Sequence, residues 1–287
     1  MTDKVAIITD SVACIPREQV EEYGIEVVPV QVIFGEKTYQ DGIDITPGQF
    51  YTLLRQAKRL PTTAASLPGS VLEAYRKASQ KASHILCITL SAKFSGMFNS
   101  ATIAANMARE TLPGVDIKVI DSQTVAAAEG LVVLAAARAA AEGKSLVEVT
   151  EITLDIMKRV YMFAALDTLY YLVKGGRAPK VAAMASSLLK IKPILTIRNG
   201  EARPLTNPRT TTGAIKRMIE IVEKKMVKGQ PLHVGVMHAD APDKAVTLRN
   251  EIARHFECVE LYITEFTPVM GAHTGPGLIA VAFYSGD

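Results

Sequence analysis

The chain of 287 residues has no tryptophan and only three cysteines, Cys14, Cys87 and Cys258. Cysteines so few, odd in number and far apart do not make a disulfide framework. Cys14 and Cys87 lie in or beside strand-like runs as small hydrophobes, which fits a reducing compartment. Net charge is nearly absent: 32 basic against 29 acidic residues leave +3, too little for a nucleic-acid surface. The longest apolar stretch, 131–141, is interrupted by Arg138, flanked by Glu129 and Glu142, and too short and alanine-rich to cross a bilayer. Met1-Thr2-Asp3-Lys4 runs straight into a strand and shows no leader pattern. The expectation is a cytoplasmic protein of one or two domains. A P-loop, a dinucleotide fingerprint and a Gly-x-Ser-x-Gly elbow are missing. His233 and His238 are five apart on one strand, on opposite faces, and no histidine or cysteine has metal-ligand spacing. Neither a cofactor nor a metal is expected.

What is present is an alternation. Apolar, β-branched runs at 5–8, 85–88 and 117–120 end in Thr9-Asp10-Ser11, Leu90-Ser91 and Asp121-Ser122, with helices between them. This predicts a doubly wound, mainly parallel sheet with right-handed crossovers. Its hydroxyl-bearing strand ends gather at the carboxyl edge, where such folds bind ligands. The same half predicts one strand over 25–34, a turn into 38–40, a helix over 48–58 behind Thr46-Pro47, a loop over 61–70 and a helix over 71–81. Near residue 160 the pattern changes. A strand at 161–166 precedes a tight turn at Lys174-Gly175-Gly176-Arg177 and a helix over 181–189. Asn199-Gly200 then marks a hairpin. A helix over 211–225, a strand at 232–237, a helix over 242–256, a strand at 259–266, a glycine-rich loop and a strand at 278–284 follow. The expected fold is α/β with two domains: a Rossmann-like domain over 1–160 and an α/β domain with a mixed sheet over 161–287, with the ligand between them.

Four features carry possible chemistry. Ser91 to Gly96 sits between a strand and a helix, where free backbone N–H groups and hydroxyls can hold an anion; Ser95 equally serves as a plain helix cap. His273 is the one titratable group in a frame of three glycines and a proline. It suits donation to an anion or proton transfer, or is an incidental loop histidine. Arg177 follows two glycines and can face a carboxylate or phosphate, although a sharp turn also requires such glycines. From 174 to 217 there are ten Lys or Arg and one acidic residue, Glu201. That field suits a phosphate-bearing ligand, an acidic partner or a membrane surface, or is a solvated face. Asp10 and Asp121 lack a second carboxylate and read as loop caps ahead of metal ligands or a phosphorylated nucleophile.

Taken in order, a set of short motifs resembles the DegV family from end to end. They are Ile8-Thr9-Asp10-Ser11, Thr63, Leu90-Ser91 through Phe94-Ser95-Gly96 to Asn99-Ser100-Ala101, and Val119-Ile120-Asp121-Ser122. Leu172-Val173-Lys174-Gly175-Gly176-Arg177, Lys190-Ile191-Lys192-Pro193-Ile194 and His273-Thr274-Gly275-Pro276-Gly277 complete the set. The resemblance implies binding of a long-chain fatty acid such as palmitate. Thr63, Ser95 and the backbone of Gly96 would hold the carboxylate, with His273, Thr274 and Arg177 beside it and the tail in an apolar tunnel between the domains. It also implies a non-catalytic role, in which the lipid is presented to the ATP-binding subunit of a fatty acid kinase. The acyl phosphate would then be kept from water and handed to acyltransferases, with the 174–217 stretch facing an acyltransferase or a membrane surface.

One departure from the family pattern matters. Where the family reads Thr-Ser-Gln-Pro, this chain has Thr63-Ala64-Ala65-Ser66, so a contact from the second position is lost unless Ser66 replaces it. Burying a tail at about 0.8 kcal/mol per CH₂ gives roughly 10 kcal/mol before ordering costs, so the head needs only satisfied hydrogen bonds. The alternative is a stand-alone acyl hydrolase or phosphotransferase using Ser95 with His273. A lipid-sensing regulator is a third reading.

Overall fold

The computed structural model describes residues 4–182 and 191–286. Four parallel strands, in the order β2 (Glu26–Val28), β1 (Val5–Asp10), β6 (His84–Thr89) and β7 (Asp116–Asp121), form the first sheet. β1 and β6 are buried along almost their whole length, as strands covered on both faces must be. The chain returns through α1 (Arg17–Tyr23), α3 (Pro68–Ser79) and α4 (Met97–Thr111). Asp10-Ser11, Leu90-Ser91 and Asp121-Ser122 therefore share one edge of this sheet.

The second sheet is mixed, in the order β10 (Glu201–Thr206), β9 (Ile194–Arg198), β8 (Tyr161–Ala165), β13 (Ile279–Ser285), β11 (Leu232–His238) and β12 (Cys258–Glu265). The hairpin β9–β10 turns on Asn199 and Gly200 at φ 52° and 78°, the left-handed pair that a tight hairpin demands. Strand alternation divides the sheet between two cores. Phe163, Ile279, Val281 and Phe283 face α9 (Thr211–Lys225) and α10 (Pro242–His255). Met162, Ala164, Ala280 and Ala282 join the larger core shared with the parallel sheet.

Between the sheets runs α5 (Ala127–Ala141), touching β1 on one side and β11 and β13 on the other. Its alanines and its one glycine allow this close fit, since a Cβ on Gly130 would stand 2.5 Å from the Ala13 carbonyl oxygen. A helix whose apolar residues run all round, interrupted only by Glu129 and Arg138, belongs in such a place. α6 (Leu146–Arg159), opened by a Ser145–Glu148 capping box, packs on α5.

Several sequence expectations change. Residues 25–34 are two strands in two sheets: Pro29 has no N–H to extend the ladder, and β3 (Gln31–Phe34) leaves to pair with β4 (Lys37–Gln40) and β5 (Thr62–Ala64). Thr63 thus lies on a strand of a small antiparallel sheet, not in a loop. β5 has three residues, too few to show alternation. α2 (Pro47–Gln56), with its Thr46–Gln49 capping box, follows β4. The turn expected at 174–177 is the end of α7 (Tyr170–Gly175), closed by Gly176 at φ 69° and followed by α8 (Pro179–Ala182). The helix expected over 181–189 falls largely outside the described residues, as does Lys190. The glycine-rich loop holds α11 (Pro268–Thr274). Its glycines mark close packing, because a Cβ on Gly271 would stand 2.7 Å from the Phe50 ring.

Candidate functional site

A cavity with about 970 Å³ of space free of protein atoms, its mouth included, is walled by both halves of the chain. Val12, Leu90 and Val125 come from the edge of the parallel sheet. Met162, Ala164, Leu195 and Ile197 come from β8 and β9. Register explains the last four: Ala164 stands opposite Leu195, so alternate residues of neighbouring strands form one apolar floor.

The structure brings all six candidate residues, Thr63, Ser95, Gly96, Arg177, His273 and Thr274, onto the wall of this cavity. Thr63 Oγ1 and His273 Nε2 are hydrogen-bonded at 2.8 Å across 210 residues of chain. His273 Nδ1 is buried without a partner. Burial first, then the nearby Arg177 charge, lower the imidazole to about 4, so the ring is neutral near pH 7. Gly175 makes room for it: a Cβ there would stand 2.6 Å from His273 Nδ1. Arg177 is exposed and donates to the Gly175 carbonyl at 2.8 Å.

The serine side is built locally. Ser91 O accepts the N–H groups of Phe94 and Ser95 at 2.9 and 3.3 Å, curling the chain after β6. Ser95 Oγ then accepts the Met97 N–H at 3.3 Å. Gly96 is the first residue before α4 and has no capping side chain of its own. Ser91 is fully buried and donates to the Gly200 carbonyl at 3.0 Å, which ties this loop to the hairpin of the other sheet. Lys93 reaches Glu201 at 3.3 Å, and Lys180 also pairs with it. Glu201 is held down at about 2 by Lys180 and Lys93.

Two hydroxyls are committed elsewhere. Thr274 donates to the Met270 carbonyl at 2.9 Å within its own helix. Ser66 is buried and bonds the Pro29 carbonyl, so it is no substitute for the missing second serine. Ala64 lines the cavity as a methyl.

Asp10 and Asp121 are loop caps. Asp10 accepts the N–H groups of Val12 at 3.1 Å and Leu90 at 2.9 Å, and burial raises it to about 7. Asp121 accepts from Gln123 at 2.8 Å and Ala92 at 3.2 Å. Glu129 in α5 is fully buried with Oε2 unpartnered, and burial holds it well above the usual carboxylate range. The three cysteines are free thiols. Among the described residues no group of His, Cys, Asp or Glu is arranged to hold a metal. No helix there is long and apolar enough to cross a membrane.

A family model for an uncharacterised protein of the DegV family matches residues 4–286. The chain belongs to the DegV family. Protein DegV of Bacillus subtilis is 32% identical over 280 residues, covering 97% of this chain and 98% of that protein. A DegV domain-containing protein of Streptomyces coelicolor is 34% identical over 287 residues, covering 99% and 100%. Among solved structures, a DegV family protein from Thermus thermophilus described for its fatty acid binding matches with a TM-score of 0.91. The two are 27% identical over 98% of this chain and 99% of that one. DegV from Bacillus subtilis, a fatty acid binding protein, matches with a TM-score of 0.88 at 31% identity, over 98% and 99%.

This DegV chain holds one site element that its sequence patterns conceal. Asp41 lies in Gln40-Asp41-Gly42, an ordinary turn signal, yet it is 2% exposed and accepts the Val269 N–H at 3.3 Å, at the start of the histidine helix.

Proposed function

We propose that this protein binds a long-chain fatty acid, with the carboxylate between Thr63, Ser95 and the Gly96 backbone and the tail along the apolar floor. The observation that carries the reading is the make-up of one cavity. Its lining combines apolar residues of β8, β9 and the parallel sheet edge with the polar Thr63, Ser95, Arg177 and His273, of which Thr63 and His273 are hydrogen-bonded. In the Nε2–H tautomer His273 donates to Thr63, which frees the Thr63 hydroxyl to donate to a carboxylate oxygen. The start of α4 offers further N–H groups, a setting suited to an anion. Arg177 adds positive charge from the solvent side. Thr274 completes the wall.

The protein acts as a carrier that presents the head group to an ATP-binding kinase subunit for acyl-phosphate formation. Support comes from the exposure of Arg177 beside the head site, where a phosphate donor has access. Exposed Lys174, Arg198, Arg209 and Lys216 offer an acidic partner subunit, an acyltransferase or a membrane surface a basic face. A serine hydrolase is less well served. His273 Nε2 is committed to Thr63 and Nδ1 has no partner, so no base contacts Ser95, and nucleophilic serine needs one.

The test is native mass spectrometry of the purified protein with lipid extraction. A stoichiometric fatty acid is expected, and Ser95→Ala and Thr63→Val are expected to lose it while remaining folded. Protein that is empty, and stays empty after incubation with palmitate and oleate, refutes the carrier.

A further inference from the structure

The Thr9-Asp10-Ser11 motif at the end of β1 has two hydroxyls that do not line the cavity: Thr9 donates to Glu129, and Ser11 leads elsewhere. Ser11 donates to Asp41 Oδ2 at 2.7 Å and accepts the Val30 N–H at 3.1 Å. Asp41 N–H donates back to the Val30 carbonyl at 2.8 Å, which closes a ring of three residues. Val30 leads directly into β3, and β3 pairs Val32 with Thr63 on β5. Asp41 Oδ1 reaches the other way, to the Val269 N–H at 3.3 Å. Val269 is in the first turn of α11, which carries His273 and which Thr267 leaves without a side-chain cap. The two ends of the Thr63–His273 hydrogen bond, 210 residues apart in sequence, therefore meet again at one buried carboxylate. That carboxylate accepts from the Ser11 O–H and the Val269 N–H. An amide keeps one acceptor oxygen: if it faces Ser11 the Val269 N–H meets an N–H donor, and if it faces Val269 the Ser11 hydroxyl must turn and give up its donation.

We infer that Asp41, held by Ser11, is the positioning residue that sets His273 against Thr63 for carboxylate recognition. It does so by fixing β3 through its backbone and α11 through its side chain. It touches neither the cavity nor the head group. The inference rests on the fatty-acid reading for its ligand, and it separates head recognition from tail burial.

The experiment compares oleate with oleyl alcohol, which share a tail and differ in the head. In Asp41→Asn, oleate affinity falls about tenfold, the loss expected when one of two buried donors loses its carboxylate acceptor. Oleyl alcohol affinity stays within a factor of about two, because the apolar floor is untouched. Ser11→Ala, which keeps the carboxylate but frees it to turn, shows the same selective loss and serves if Asp41→Asn does not fold. Thr210→Ala removes the N-cap of the distant α9; it lowers the melting temperature without changing the oleate-to-alcohol ratio, so lost stability alone is not the cause. Imidazole ¹⁵N spectra of the lipid-free protein give a second readout: Asp41→Asn moves the His273 signals and leaves those of His255 on α10 in place. Unchanged selectivity in both variants, or equal loss of both lipids, overturns the positioning role while the fatty-acid reading stands. Wild-type protein that binds neither lipid overturns the fatty-acid reading, and the His273 spectrum then decides the positioning role by itself.

Discussion

The head end of the cavity has a serine side and a histidine side, and they are built in opposite ways. Ser95 and Gly96 belong to one continuous strand, turn and helix, and the bonds that curl the turn itself, from Ser91 to Phe94 and Ser95 and from Ser95 to Met97, span a few residues. His273 rides on a helix of seven residues, too short to be stable alone. That helix is held by Asp41, Phe50, Tyr171 and Gly175, all distant in sequence. One side takes its shape from its own segment and is pinned from outside only at Leu90, Ser91 and Ala92; the other takes both shape and place from the rest of the molecule. A local device tolerates change elsewhere in the fold, whereas a borrowed position fails wherever its supports fail.

The contrast breaks most visibly at Gly275. It sits at φ 68°, and a Cβ there would stand 2.1 Å from the Tyr171 ring. Gly275→Ala should cost about 3–5 kcal/mol from backbone strain and overpacking together and abolish lipid binding, read by urea unfolding and lipid titration. Gly96→Ala on the serine side meets only Ala65 at 3.6 Å and should leave stability within about 1 kcal/mol. Equal losses in the two variants would erase the distinction.

Acid separates the two sides by sign. Asp10, which clamps the serine side, is raised from 3.8 to about 7. Between those values the folded chain keeps a proton that the unfolded chain has released, so this group makes stability fall as pH rises. His273 is lowered from 6.5 to about 4. There the unfolded chain holds the extra proton, so stability rises with pH across that window. Each contribution has a slope of about 1.4 kcal/mol per pH unit. Measured against wild type by denaturant unfolding from pH 4 to 7, Asp10→Asn should gain relative stability as pH rises and His273→Gln should lose it. Differences that run in parallel would contradict the assignment.

The smallest effect is expected at Thr274. Its hydroxyl serves its own helix, so Thr274→Val should cost about 1 kcal/mol of stability and shift oleate affinity by no more than a factor of about two in a lipid titration. A larger loss of affinity would bring this hydroxyl into the head site.

The same contrast governs what the sequence revealed. The serine turn, the Asn199-Gly200 hairpin and the helix at Thr211–Lys225 were legible because caps, glycines and periodicity act over a few residues. The small antiparallel sheet was not, since β5 is three residues whose partner, β3, lies some thirty positions earlier. The histidine helix was read as loop because glycine signals flexibility in sequence, whereas here each glycine admits a neighbouring ring or carboxylate. Asp41 left no local trace at all. Its partners become neighbours only after the chain has folded. The apolar floor was equally hidden, being assembled from alternate residues of two neighbouring strands.

The place of β13 carries a consequence for how the protein is made. This strand lies between β8 and β11, both of which leave the ribosome before it does. Until it arrives the two must wait about 10 Å apart, two strand spacings, with a slot open between them and α5 bracing only one face. A nascent chain paused at that point offers two unpaired edges, a surface for chaperones or for a wrong strand to enter. The cavity floor rests on β8, which β13 alone joins to β11 and β12, so a lipid bound as proposed would find its floor fixed in place only once the sheet is complete.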